Sequence, residues 1–568
     1  MAKWLVDESP ISGEISSKLM QLGVPKILAD YVARSSELSV DDVVGFIDKS
    51  TESLYDPFLL DGMEQAIETV SRHIDNQANI MVFGDFDVDG VTGASILYWG
   101  VRKAGLKFPP KVYIPNRFTE GHGLNIAAID QFAEDGVKLV ITADCGMGNH
   151  EEVEHARQYG IDVIITDHHM GENDKLRAAA VVNPRLGDYP FEFLSGAGVA
   201  YKFIQALLAR RFGVHSEEYK STVKSCLDYV AIGTVADVMP LIGENRILVD
   251  HGLKNMVRSK LPFLNKYWAK KLRKFELDEP FTSEHIGFQM APRINAASRL
   301  ETGRHAFEFL ISVKSDDVVQ KGRYLDFLNS ERKSRLSQLK ASETLKKYYV
   351  HERRILIIDS GSPEKGLFGL LASYFLESDR DLRAVLVLGD DPNGSLSGSA
   401  RAKHGFDWFN TLKLLENYLV RFGGHAEAAG CMLNREDFKK FIDSFDSLSI
   451  EFSQPDVVKR YHSLISLDEI SEDFVESQEK LGPYGARFPK PVFKLVNFKV
   501  ANSRRVGPSG RDLTFTLCSQ HETRFSGIGF RMGEHQEQFL ESNELIVEIG
   551  FNYFRTKEIQ LRLIDILD

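Results

Sequence analysis

The sequence predicts a multidomain α/β protein: a parallel-sheet domain and a second α/β domain joined by a long helix, followed by a C-terminal OB-like β-barrel. Three observations predict it. Between 76 and 240 apolar runs alternate with helical stretches, the pattern of a parallel sheet with crossover helices. The segment 316–352 has no Gly or Pro after Gly322 and sets Leu325, Leu328, Leu336 and Leu339 at helical spacing among charges. Past 455, short segments alternate apolar and polar residues with period two, as half-buried strands do.

Taken in order, residues 1–75 read as a helical segment, with amphipathic stretches such as ISSKLMQL and EQAIETVSRHI. Strands are expected at 79–84, 111–114, 138–142, 162–166 and 179–183, and a longer helix through GAGVAYKFIQALLARRF closes the unit, 76–240. Strand signals fade over 241–350, a helical connector that ends in the long helix. A second α/β unit, 351–454, holds RRILIID, GLLASYFL, RAVLVLG, LSGSARA and the Gly-rich GGHAEAAG. Over 455–568, segments such as KLVNFKV, RDLTFTLCS, TRFSGIGF, NELIVEIGF and EIQLRLIDI suit a five-stranded OB-like barrel.

Composition narrows the function classes. Hydrophobic content of 43% and charged content of 26% are ordinary globular values. A net charge of −12 excludes coating nucleic acid by bulk charge but leaves room for a local basic groove. No apolar run approaches the ~20 residues that span a bilayer, and MAKWLVDESP lacks the apolar stretch of a signal peptide. Cys145, Cys226, Cys431 and Cys518 form no CxxC pair, which fits a reducing cytoplasm.

Three strands of the first unit run straight into metal-ligand residues. The first ends in Asp85-Phe86-Asp87-Val88-Asp89-Gly90, the third in Ala143-Asp144, the fourth in Asp167-His168-His169. Ligands of open parallel sheets bind at the carboxyl ends of strands, so these tips are expected to meet at one edge. A helix through YVAIGTVA then delivers Asp237. A single strand-end Asp is ordinarily a helix N-cap, and DxDxDG also opens an EF-hand loop. The twelfth position from Asp85 is Ile96, where that loop requires a bidentate Glu, so the EF-hand is excluded. So many carboxylates would repel without cations between them. Oxygen and imidazole donors suit Mn²⁺, Fe²⁺ or Zn²⁺, and a bridging carboxylate would fit a two-metal site for in-line phosphoryl displacement.

GDFDVDG, the Asp144 tip, TDHH and GTVADVMPL stand in the order of the DHH phosphoesterase superfamily. YDPFLLDGMEQAI, PNRFTEGHGLN, SGAGVAYKF, APRINAASRL, SGSARA and GGHAEAAG resemble its RecJ branch, the single-strand-specific 5′→3′ DNA exonucleases. The resemblance spans about 55 to 490, and the β module sits where that family carries its OB domain. It implies a DHH catalytic domain, a DHHA1-like domain and hydrolysis of single-stranded DNA in repair and recombination. It also implies two Mn²⁺ or Mg²⁺ ions held by Asp87, Asp89, Asp144, His168, His169 and Asp237, with Asp144 bridging. Asp85 is a further candidate ligand on the same loop, Asp167 an orienting residue, and Asp228 a competitor for the role given to Asp237. Asp144, His168 and His425 carry the chemistry in this reading.

Substrate contacts are expected from Ser399 and Arg401, where small residues let a phosphate approach a guanidinium, and from Gly424 and His425 in the Gly-rich segment. Arg293, Asn295 and Arg299 match the family's DNA-contacting segment. Basic runs at 266–274 and 332–347 could line a groove or merely face solvent. Phe493, Phe498, Phe515, Phe525 and Phe530 could stack bases, though their alternation suits a core; Arg504, Arg505 and Arg511 could contact phosphate. The chain departs from the family pattern at 363–369, where Glu364 stands in place of a His, and at 482–491. Expected partners are single-stranded DNA, a single-strand-binding protein and repair helicases. Two rivals stand beside this reading: a phosphodiesterase of short oligonucleotides or cyclic dinucleotides, and an inactive replication-associated binding protein.

Overall fold

A computed structural model describes residues 4–35, 38–171, 176–272, 280–352, 354–391, 393–450, 459–553 and 557–567. Strands Ile80–Gly84, Lys111–Tyr113, Leu139–Ala143, Asp162–Thr166 and Ala180–Val182 form one wholly parallel sheet. Across the sheet, 111–113 comes first, then 80–84, 139–143, 162–166 and 180–182. Period-two alternation divides its two buried faces. Ile80, Val82, Leu139 and Ile141 pack with Val91, Leu97 and Ile204. Met81, Phe83, Val140 and Val163 pack with Ile129, Phe132 and Val153. Because helices cover both faces, the open ground for chemistry is the edge where the strands end.

The connecting helix is Ser315–Ala341, about 40 Å long at 1.5 Å per residue. Leu325 and Leu328 sit in the core of the first domain, while Leu336 and Leu339 pack against the second, so one rod spans both. It is shorter than the periodicity suggests. Ser342 Oγ accepts the Thr344 N–H at 3.2 Å in a turn, and Tyr348, Tyr349 and Val350 suit a strand, Lys346–Val350, antiparallel to Ile355–Asp359. The second sheet therefore begins before 351. It continues with Ala384–Asp390, Ser395–Ala402, Arg421–Gly424 and Ala428–Asn434, with 355–359 and 384–390 paired in parallel.

Among the described residues the C-terminal module has seven strands in one sheet rather than five. KLVNFKV is two strands, Phe493–Val496 and Lys499–Val506, because Asn497 takes φ +57° and turns the chain. Among the described residues Ser463–Ser466 and Lys499–Val506 are the two ends of the ladder, which hydrogen bonding leaves open.

Residues 1–75 are not one helical unit. Trp4–Val6 is a strand parallel to Lys459–Tyr461. Helices Gly13–Gln21, Lys26–Ser35 and Val43–Asp48 place Leu19, Leu28, Val32 and Phe46 in the core of the C-terminal module, beside Phe488, Phe493 and Leu545. Met63–Asp75 packs on the parallel sheet instead, and Leu54, Phe58 and Leu60 just before it join the same core. Buried Arg246 fastens the two bodies: its guanidinium donates to the carbonyls of Phe46, Leu481, Gly482 and Pro483 and lies 3.9 Å from the Phe46 ring centre. No helix among the described residues is long and apolar enough to cross a membrane.

Candidate metal centre

The strand tips meet as the carboxyl-end rule requires. Asp85 N–H bonds the Ala143 carbonyl at 3.1 Å and Asp144 N–H the Thr166 carbonyl at 3.0 Å, so hydrogen bonding between neighbouring strands continues into both ligand loops. Asp87 caps helix Val88–Lys103 by accepting the Gly90 N–H at 3.1 Å. Asp89, in the first turn, reaches the start of a second helix, Gly196–Phe212, accepting N–H bonds from Gly196 at 2.6 Å and Ala197 at 3.0 Å. Gly196 is required here: a Cβ would lie 2.4 Å from the Cβ of Asp144.

Asp167 organises the histidines. Its Oδ1 accepts from the backbone of His168 (2.7 Å) and His169 (3.2 Å) and from His169 Nδ1 (2.8 Å), and its Oδ2 from Met147 N–H (3.1 Å). Those bonds outweigh burial and hold its carboxyl down to about 2. With Nδ1 bonded to a carboxylate, Nε2 of His169 is the nitrogen free to ligate. Burial, followed by the charge of His169, pushes His168 down to about 3 and keeps it neutral. Its Nε2 lies 3.1 Å from Asp144 Oδ1, 3.6 Å from Asp237 Oδ2 and 3.9 Å from Asp89 Oδ2.

Three groups of donors each converge within 4.8 Å: Asp144, His168 and His169; Asp89, His168 and Asp237; Asp85, Asp87 and Asp144. Burial and mutual repulsion push Asp89 up to about 7 and Asp237 up to about 9, and raise Asp87 and Asp144. Asp144 Oδ1 is buried without a hydrogen bond. Orphaned oxygen, neutral imidazole and crowded carboxylates are a donor set that fits divalent cations, with Asp144 and His168 common to more than one position.

Of the two competing aspartates, Asp237 is in this cluster and Asp228 is not. Asp228 is fully buried between helices, accepting from Asn255 at 2.7 Å and Ser259 at 2.6 Å. Two residues escaped assignment from the sequence. His122 Nδ1 lies 3.0 Å from Asp85 Oδ1, whose charge, against burial, raises the imidazole to about 9. Arg117 stands over the Phe86 ring at 4.5 Å and faces Asp85 and Asp87. Both follow strand 111–113, a fourth tip on the same edge, so the carboxyl-end rule already pointed to them.

Of the expected substrate residues, Ser399 and Arg401 lie two apart on strand Ser395–Ala402, facing Gly369, where a Cβ would lie 2.7 Å from the Arg401 guanidinium. Arg299 donates to the Gly366 carbonyl at 3.1 Å on the same helix, Lys365–Ser378. Burial, with Arg117, Arg401 and Arg332 close by, holds Arg299 down to about 9, so four guanidiniums share one region beside the carboxylates. Gly424, at φ +130°, turns the 421–434 hairpin and sets the His425 ring parallel to that of His169, centres 6.3 Å apart. Burial, then the charge of His169, lowers His425. Arg293 is engaged elsewhere: it pairs with Asp326 at 2.8 Å and donates to the Gln289 carbonyl at 2.6 Å. Asn295, two residues on in helix Ala291–Leu300, is half-buried. Glu364 faces Arg335 at 3.7 Å. Within the 266–274 run Lys271 is paired with Asp326, and Arg273 and Lys274 lie outside the described residues. Phe493, Phe515 and Phe525 are core; Phe530, Arg504, Arg505 and Arg511 are exposed.

Comparison with known proteins finds the same modules in the same order. Family models match residues 79–234 (DHH family, N-terminal domain), 358–450 (DHHA1 domain) and 461–565 (RecJ OB domain). The chain is 30% identical to the single-stranded-DNA-specific exonuclease RecJ of Bacillus subtilis, over 98% of this chain and 69% of that one. It is 32% identical to the same-named protein of Escherichia coli, over 79% and 80%. The crystal structure of RecJ in complex with Mn²⁺ from Thermus thermophilus superposes with a TM-score of 0.79 at 25% identity, over 100% of this chain and 79% of that one. With three modules, a convergent donor set and near full-length similarity in agreement, the chain belongs to the RecJ family of single-stranded-DNA-specific exonucleases.

Proposed function

We propose that the protein hydrolyses phosphodiester bonds of single-stranded DNA from the 5′ end, at a centre for two Mn²⁺ or Mg²⁺ ions held by Asp85, Asp87, Asp89, Asp144, His168, His169 and Asp237. One observation carries the reading: Asp144 and His168 are each shared between donor groups, which is how neighbouring cation positions are built. When bound, the ions supply Lewis-acid polarisation of the scissile phosphate and of the attacking water. The chain's own residues do the rest. Asp167 fixes the His169 tautomer, leaving Nε2 bare. His425, brought from the second domain to face His169, is placed to donate to a phosphate oxygen. Arg117, Arg299, Arg401 and Ser399 offer a guanidinium-rich seat for a terminal phosphate, which a pairing carboxylate would otherwise have to fill. Between the two domains, spanned by the helix Ser315–Ala341, lies the path for a single strand. A cytoplasmic setting and contacts with a single-strand-binding protein and repair helicases belong to the same reading.

The test is digestion of long single strands labelled at either end, with Mn²⁺, Mg²⁺ or chelator. Mononucleotides released progressively from the 5′ end, by wild type and not by Asp144→Ala, are expected. Release from the 3′ end, or equal activity of Asp144→Ala, overturns the proposal. A preference for dinucleotides would instead favour a short-substrate enzyme.

A further inference from the structure

The geometry points to Val238 as an apolar contact for the substrate strand, touching a nucleobase on the stretch that leads from the metal centre toward the C-terminal module. This rests on the single-strand nuclease reading above.

Helix Glu217–Ala236 ends at Asp237 in a Schellman turn: Val238 N–H bonds the Val235 carbonyl at 3.2 Å and Met239 N–H the Thr234 carbonyl at 3.1 Å. That turn needs a left-handed residue just past the cap, a place usually taken by Gly. Here it is valine, at φ +57°. Left-handed backbone is most unfavourable for β-branched side chains, and Val238 is the only β-branched residue among the described residues with positive φ. The strain is not offset by packing, since the side chain is 70% exposed. A glycine would relieve the backbone and hide an apolar surface from water at once.

Location supplies what the fold does not. Val238 follows Asp237, whose Oδ2 is 3.6 Å from His168 Nε2. Three residues on, Leu241 N–H bonds the Ala486 carbonyl at 2.9 Å, in the segment where the C-terminal module joins. The guanidinium seat around Arg299 and Arg401 adjoins Asp87, which belongs to a different donor group from Asp237. In this proposal a strand with its terminal phosphate there and its next phosphate at the cations runs on past Val238 toward the C-terminal module. Bases are the apolar part of such a strand, and an exposed valine beside the chain's path offers sequence-independent contact.

The test compares wild type, Val238→Gly and, as a distant control, Glu522→Gly, which also removes a positive-φ side chain. Substrates are an ordinary single strand and one with abasic residues at the second to fourth nucleotides. Val238→Gly should melt no lower than wild type and lose about fivefold in kcat/KM on the ordinary strand, mainly through KM. On the abasic strand it should match wild type, and Glu522→Gly should match wild type on both. Equal losses on both strands, or no loss on the ordinary one, overturn the assignment. If wild type degrades neither strand with Mn²⁺, the nuclease reading itself fails, and this inference with it.

Discussion

Asp167→Asn replaces one carboxylate oxygen by an NH₂ group and tests the whole arrangement of the histidines. Both carboxylate oxygens of Asp167 are used: Oδ1 takes three N–H groups and Oδ2 a fourth. An amide in either orientation must point its NH₂ at one of these donors. If it faces His169, the imidazole is driven to the tautomer that carries its proton on Nε2, the nitrogen meant for a cation. A hydrogen bond to a charged group contributes about 1.5–3 kcal/mol, and losing an orienting carboxylate behind a metal ligand typically costs about 10- to 100-fold in affinity or activity. The expected outcome is Mn²⁺ affinity weakened about 10- to 100-fold by calorimetry. The Mn²⁺ dependence of strand degradation should shift to match, while circular dichroism stays unchanged. A folded variant that binds Mn²⁺ as tightly as wild type would refute the orienting role.

Gly196→Ala should abolish at least about 99% of activity while costing about 1–3 kcal/mol of stability, because its methyl would enter at 2.4 Å from Asp144 Cβ; a wild-type rate in a degradation assay would show the clearance is unneeded. Asp228 supplies a pH prediction. Burial, opposed by hydrogen bonds from Ser259 and Asn255, pushes its carboxyl up to about 7, while the unfolded chain ionises near ~3.9. Its stabilising contribution is therefore present at low pH and lost as pH rises toward 7. Asp228→Asn should remove that dependence, so its melting temperature gains on wild type between pH 4 and 8, by the equivalent of up to about 4 kcal/mol. A constant difference across that range would refute the buried-acid account.

Much of the centre was legible because its parts sit at strand ends. Five apolar runs each became a strand, and parallel order then forces Asp85, Asp144 and Asp167 to one edge. The choice of Asp237 over Asp228 needed the family motif, since one helix carries both and periodicity does not distinguish them. Arg117 and His122 were missed because the short strand 111–113 ends in a loop without a carboxylate cluster. The pairing of Arg293 was equally hidden, because Asp326, the carboxylate it meets, lies thirty-three residues away. Chain-end pairing was the least legible feature. Nothing local in ISSKLMQL says that its apolar face belongs to strands at the far terminus.

That pairing sets the order in which the protein can be made and dismantled. The ribosome releases Leu19, Leu28 and Val32 long before the side chains that cover them, such as Phe493 and Leu545. The parallel sheet can form early, but the body that joins helices Gly13–Gln21, Lys26–Ser35 and Val43–Asp48 to the C-terminal module stays incomplete until that module has been made. A chain broken off before its final strands would display its amino-terminal helices with bare apolar faces, a mark by which chaperones and proteases can recognise an unfinished copy.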